Sequence, residues 1–225
     1  MENLFTKALF SLAALAVAMG LLLFVPAGTI RYWQGWLYFV TFIGSSLFFS
    51  LYLKKHDPAL IERRMRGGPM AEKQTTQKII MLFTSLGFIA LLVVPALDHR
   101  FRWSRVPRSA VIAADILVAV GFFLIFLVAR ENTFASSTIE VAVDQKVIST
   151  GPYGLVRHPM YASALLYLIG TPPALGSYWG FLALAFMIPF LIWRIVDEEK
   201  FLAKNLSGYA EYQNKVQYRL LPHVW

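Results

Sequence analysis

The sequence predicts an all-α, polytopic integral membrane protein, and three observations lead there. Hydrophobic residues make up 57% of the 225 positions and charged residues only 15%, a balance foreign to soluble domains. The mean hydropathy is +0.56. Charge-poor apolar runs also recur at the roughly 20 residues needed to cross a hydrocarbon core about 30 Å thick.

Four such runs predict transmembrane helices at about 7–25, 33–53, 79–97 and 110–129, the last interrupted only by Asp115. The first is longer than the apolar core of a secretion signal and has a thin basic flank in Lys7, so it reads as a retained span. An ionisable residue inside a span is a functional candidate by default, but Asp115 falls in the half away from the other polar groups and is assigned to structural pairing. Between the second and third runs, Glu62-Arg63-Arg64-Met65-Arg66 followed by Gly67-Gly68 predicts an interfacial helix stopped by glycine and held by anionic headgroups.

The last apolar region is broken by Gly170-Thr171-Pro172-Pro173-Ala174-Leu175-Gly176. Paired prolines do not fit inside a straight helix. The piece before the break is about 11 residues, too short to cross alone at 1.5 Å per residue. A C-terminal transmembrane hairpin over 159–196 follows, with both ends on one side, then a cytoplasmic tail. The chain thus divides into a scaffold, 1–129, and a functional region, 130–225.

The 21 Lys and Arg against 13 Asp and Glu give +8, which in a hydrophobic chain points to topology and anionic lipid, not to nucleic acid. With the N-terminus inside, sixteen basic residues face the cytoplasm and five the outside, as for a bacterial inner (plasma) membrane protein. Arg100, Arg102, Arg105 and Arg108 run against this trend and would pair with Asp98 or lipid phosphate. The absence of cysteine excludes disulfides, thiolate metal sites and a cysteine nucleophile. His56 and His223 lack a helical partner ligand and read as surface residues, so no metal site is expected.

Chemistry concentrates where 130–159 meets the hairpin. The stretch Gly151-Pro152-Tyr153-Gly154-Leu155-Val156-Arg157-His158-Pro159-Met160-Tyr161 places Pro159 at a first helical position and His158 at the cap. Arg157, His158 and the helix start then form an anion site, although the same pair would also serve as an interfacial anchor. At the hairpin exit, Trp193-Arg194-Ile195-Val196-Asp197-Glu198-Glu199 returns two glutamates to that point. Arg194 and Glu198 are spaced for an ordinary helical pair, and a carboxylate there could orient Arg157 or bind a cationic or hydroxyl-bearing ligand.

These residues resemble the isoprenylcysteine carboxyl methyltransferase family, grouped with the membrane phospholipid methyltransferases. The likeness lies in Gly151-Pro152-Tyr153, Val156-Arg157-His158-Pro159, Tyr161, Glu198-Glu199 and Gly208-Tyr209-Ala210-Glu211-Tyr212, with Asn132-Thr133-Phe134 upstream. It covers about 130–222, and Ser163 stands where many members carry glycine. The resemblance implies S-adenosylmethionine as methyl donor and a lipophilic acceptor, carboxyl groups included, with the active site facing the cytoplasm. It implies Arg157 and Glu198 as catalytic residues and Tyr153, Val156, His158, Pro159, Tyr161 and Glu199 as cofactor-binding residues. Tyr161, Trp193 and Phe201 are candidates to hold the adenine, or simply belong to an aromatic belt. Two other readings remain: an NADPH-dependent membrane reductase of the steroid-reductase type, which carries a related arginine-histidine-proline pattern, and a non-catalytic membrane scaffold.

Overall fold

A computed structural model describes residues 2–65 and 67–225, with side chains from residue 4 onward. Arg66, one of the basic residues assigned to the cytoplasmic side, lies outside the described residues. The described residues are helical with no strand: α1 (Glu2–Ala27), α2 (Trp33–His56), α3 (Pro58–Met65), α4 (Thr75–Phe101), α5 (Arg108–Glu131), α6 (Pro159–Ala174), α7 (Gly180–Asn205) and α8 (Tyr209–Lys215). A 3₁₀ turn, Gly151–Gly154, leads into α6. Five helices, α1, α2, α4, α5 and α7, are long and apolar enough to cross a membrane, and the protein is an integral membrane protein.

The hairpin is α6 followed by α7, but its turn lies later than the prolines suggest. Pro172 and Pro173 sit in the last turn of α6, and the chain reverses after Ala174. A helix tolerates proline there because Leu175 N–H and Ser177 N–H still close on the carbonyls of Thr171 and Pro172, while Gly176 takes the left-handed conformation (φ +72°) that ends the helix. The turn is packed into protein: Thr171 and Ser177 are fully buried, Tyr38 shares a 3.0 Å hydrogen bond with the Thr171 hydroxyl, and Tyr32 donates to the Leu175 carbonyl at 2.6 Å. With 16 residues, α6 is about 24 Å long, so the hairpin pairs a short helix with a long one.

The short helix is held by close packing on α5. A β-carbon at Gly121 would meet the Tyr167 backbone nitrogen at 2.8 Å, and one at Gly170 would meet the Ala114 carbonyl oxygen at 2.9 Å. Small residues let the backbones approach where apolar burial alone gives little drive between helices in lipid. Ser163 fits this interface by turning its hydroxyl onto the Pro159 carbonyl of its own helix (2.7 Å). Asp115 receives a 2.6 Å hydrogen bond from Thr41 of α2, tying α2 to α5.

Helix α4 runs from one membrane face to the other. Near its start, Gln77 bonds to Arg194 of α7, and near its end Asp98 bonds to Ser177 in the α6–α7 turn. Helix α3 docks on protein and not only on headgroups: Asp57 caps it through the Leu60 N–H (3.0 Å), Leu60 and Ile61 are buried, and Arg63 bonds the Thr133 carbonyl.

Overpacking at the α5–α6 contact has a measurable cost. Gly121→Ala should lower stability by about 1–3 kcal/mol, read as a reduced Tm in detergent. Gly44→Ala, where an added methyl meets nothing within 4 Å, should leave Tm unchanged or raise it.

Candidate functional site

Two polar clusters meet on the face where α3, the 132–148 segment, the start of α6 and the end of α7 come together. The first is centred on Glu199, which is 4% exposed. Its Oε1 accepts from Arg157 Nε at 2.7 Å and lies 3.2 Å from His158 Nε2, and its Oε2 accepts from Arg219 Nε at 2.9 Å. Arg157 Nη1 donates to the carbonyls of Val216 and Gln217, and the backbone N–H groups of Arg157 and His158 donate to the Tyr218 and Arg219 carbonyls. The expected anion site at the α6 start is therefore largely spent on the chain's own tail. His158 stands at the cap position, with Pro159 as the first helical residue.

The second cluster is centred on Tyr161. Its hydroxyl donates to Glu198 Oε2 (2.7 Å) and accepts from Arg194 Nε (2.9 Å). Arg194 forms its ion pair with Glu72 across the fold (2.9 Å) and also donates to Gln77 Oε1 and the Ser137 carbonyl. The helical spacing of Arg194 and Glu198 is thus bridged by the tyrosine instead of a direct pair. Gln77 in turn bonds Asp197.

Between the clusters lies a cavity of about 790 Å³. Its polar end carries Tyr153, Arg157, His158, Tyr161 and Glu198, together with Arg64 of α3 and Tyr209 and Tyr212 of the tail. Its other end is apolar and reaches Leu15 and Met19 of α1 and Phe88 and Ile89 of α4. Leu15 and Ile89 are also exposed, so the cavity reaches the lipid-facing side between α1 and α4. Pro159 lines it, whereas Val156 and Glu199 do not. Trp193 and Phe201 lie off it as well, with Trp193 exposed.

The polar groups of the cavity are unequally partnered. Among the described residues Arg64 has no ion-pair partner: its Nη1 lies 3.9 Å from Met160 Sδ and its guanidinium faces the Phe49 ring at 5.3 Å. Burial pulls its basicity down, which is the cost of a cation without a counter-ion. Among the described residues the Tyr209 hydroxyl is buried without a partner, as is Thr84 Oγ1 in the apolar half. Burial pushes the Tyr209 and Tyr212 phenols up, and Tyr153, which accepts from Asn132 Nδ2 at 3.0 Å, is pushed up to about 12, so all three stay protonated at neutral pH. Tyr212 donates to the Tyr153 carbonyl, fixing the 3₁₀ turn against the tail.

Arg64, Glu72 and Gln77 belong to the site face although their part of the sequence reads as scaffold, and Tyr167 of α6 lines the cavity with them. The signal for Gln77 was a neutral polar residue at the mouth of an apolar run; Arg64 carried none beyond a basic interfacial helix.

Residues 109–208, from α5 to the end of α7, match the family model described as phospholipid methyltransferase. The chain is 27% identical over 125 residues to the mouse (Mus musculus) Delta(14)-sterol reductase TM7SF2, covering 49% of this chain and 30% of the reductase. It is 29% identical over 106 residues to the cobalt-zinc-cadmium resistance protein CzcN of Cupriavidus metallidurans, covering 45% of this chain and 48% of that protein. The matches thus span less than half the length of either relative.

Removing the charge of Glu199 tests the first cluster. Glu199→Gln leaves Arg157, His158 and Arg219 facing a neutral amide, and breaking a buried pair this way should cost about 3–5 kcal/mol. The expected readouts are a lower unfolding midpoint and faster amide exchange of Arg157 and His158, whose N–H groups bind the tail.

Proposed function

We propose that this chain is an integral membrane methyltransferase that uses S-adenosylmethionine, with 130–225 as its catalytic region and a lipophilic acceptor. The observation that carries the reading is the two-ended cavity. Charged and hydroxyl groups cluster where a water-soluble cofactor would enter, and apolar side chains line the path from the lipid. The phospholipid methyltransferase match over 109–208, which includes most of that region, supports it.

The residues present fit such a cofactor. Glu198 offers a carboxylate to an ammonium or a ribose hydroxyl. The unpartnered Tyr209 hydroxyl offers a further hydrogen bond. When bound, S-adenosylmethionine supplies an electrophilic methyl group on a sulfonium, so no metal or covalent enzyme intermediate is needed. The protein's work is then alignment of the acceptor and exclusion of water.

Arg157 and His158 act in this reading mainly by shape. Locked to Glu199 and the tail, they hold the wall of the cavity beside Pro159 and Tyr161. Glu198 contacts the ligand directly and would accept a proton from a hydroxyl or amine acceptor, whereas Glu140, also on the cavity, is paired with Lys73. A carboxylate acceptor would need no base, only a cation to orient it, and Arg64 supplies one. Carboxyl methylation of the isoprenylcysteine type is therefore within the site's chemistry.

The likeness to a sterol reductase favours a second reading, an NADPH-dependent membrane reductase. One titration separates them. The protein in detergent should bind S-adenosylhomocysteine by calorimetry and not NADPH; NADPH binding alone would overturn the proposal. Glu198→Gln should weaken S-adenosylhomocysteine about tenfold or more, the scale of a hydrogen bond to a charged group. Tyr209→Phe should weaken it by a smaller factor, and label from methyl-tritiated S-adenosylmethionine should pass to lipid extracts with wild type but not with Glu198→Gln.

A further inference from the structure

A second cavity, of about 490 Å³, lies at the opposite end of α4 from the candidate site. It is formed by the α1–α2 loop, the end of α4 with the loop that follows, and the α6–α7 turn. Arg100, Arg102 and Arg105 line it, and among the described residues none has an ion-pair partner. The acid beside them, Asp98, is taken: one oxygen accepts the Ser104 N–H at 2.6 Å and the other the Ser177 hydroxyl. Gln34 lines the same cavity, and its Oε1 is buried with no partner.

The backbone adds a separate observation. Arg102 ends α4 in the left-handed conformation at φ +60°, the position that glycine or asparagine ordinarily fills. A long cation placed there against its backbone preference points to a role for the side chain. Arg100 lies against the α1–α2 loop, where a β-carbon at Gly28 would stand in ordinary contact, 3.6 Å, with its guanidinium carbon. The exposed indoles Trp33, Trp103 and Trp179 surround this end of the bundle, as aromatic side chains do at headgroup depth.

We propose that this cavity binds the phosphodiester headgroup of an anionic membrane phospholipid. Arg100, Arg102 and Arg105 hold the phosphate, and the free Gln34 oxygen accepts a hydrogen bond from a headgroup hydroxyl. The uncompensated positive charge selects an anion, and the exposed indoles around the cavity place it where lipid carries one. The site stands apart from the methyltransferase reading and does not depend on it. It also accounts for basic residues on the membrane face that the charge distribution of the chain otherwise leaves poor in them.

Native mass spectrometry of the full chain in detergent tests this, with dioctanoylphosphatidylglycerol, dioctanoylphosphatidylcholine and inorganic phosphate as probes. Wild type should retain one phosphatidylglycerol with an affinity on the order of tenfold or more above phosphatidylcholine. The triple variant Arg100→Gln, Arg102→Gln, Arg105→Gln should lose that preference. Removing the same charge on the other face, by Lys55→Gln, Lys204→Gln and Lys215→Gln, should keep it. Arg102→Gly, which relieves the left-handed backbone, should hold or raise Tm while weakening the lipid. The proposal is overturned if the arginine triple variant keeps the preference, or if the lysine variant loses it equally, which would mean diffuse charge. It is likewise overturned if inorganic phosphate binds as tightly as the lipid, which would make this a soluble-anion site.

Discussion

The buried carboxylate of Glu199 is the constraint on which the candidate site depends. A carboxylate taken out of water is costly unless nearly all of its lone pairs are met, and Glu199 meets them with Arg157, His158 and Arg219. These come from the entry to α6 and from the tail, while Glu199 itself lies near the end of α7. One acid therefore closes the hairpin at its open end and fastens the last ten residues across it. Residues one apart on a helix point about 100° away from each other. Once Glu199 is turned inward to this cluster, Glu198 is turned toward the cavity, where Tyr161 steadies it. The double glutamate thus divides into a structural acid and a cavity-facing one.

The membrane part serves the same geometry. Because α6 is short, it cannot reach from face to face and hold itself in place. It is set by the glycine contacts with α5 and by the burial of its turn among Tyr32, Tyr38 and Ser177. Helix α4 then links the two ends, with Gln77 at the site and Asp98 at the turn. The cavity lies in the space that α4 and α1 leave beside the short helix, which is why it is polar at one end and apolar at the other.

The sequence read well where the physics is local. Apolar run length marked the spans, and the meeting of Arg157, His158, Glu198 and Glu199 followed from the hairpin alone, since a hairpin returns its ends to one face. The place of the turn was less legible: proline is disruptive by its missing N–H, and that loss is harmless in a last helical turn whose carbonyls are satisfied from beyond. The roles of the two glutamates were not legible, because a single step along a helix decides them and the tail that claims Glu199 arrives from twenty residues away. Arg64 was hidden for a similar reason. In sequence it is one of several arginines in a basic helix, and only the docking of α3 against 133–137 turns it into the cavity.

What separates ligand-binding groups from structural ones in this protein is whether a protein partner already satisfies them. In a medium that leaves polar groups without water, an unpaired buried donor, acceptor or charge is unfavourable, and folds ordinarily remove it. Arg194, Glu72 and Glu199 are held by protein partners, as are Nε and Nη1 of Arg157, so a ligand competing for those atoms would first have to break several hydrogen bonds. Arg64 and the Tyr209 hydroxyl are not engaged, and both border the larger cavity; the three arginines and the Gln34 oxygen are not engaged, and all border the smaller one. These groups border the two hollows of the bundle, one on each face, while Asp57 Oδ2 and Asp115 Oδ1 are buried and unpartnered away from both. Each set has its own character, mixed charge and hydroxyl at the site and positive charge at the far face. A fold that leaves the buried Tyr209 and Gln34 oxygens unpaired is less stable than one that pairs them, and a ligand bound there would recover that stability, whereas Arg100, Arg102 and Arg105 are exposed and keep their water.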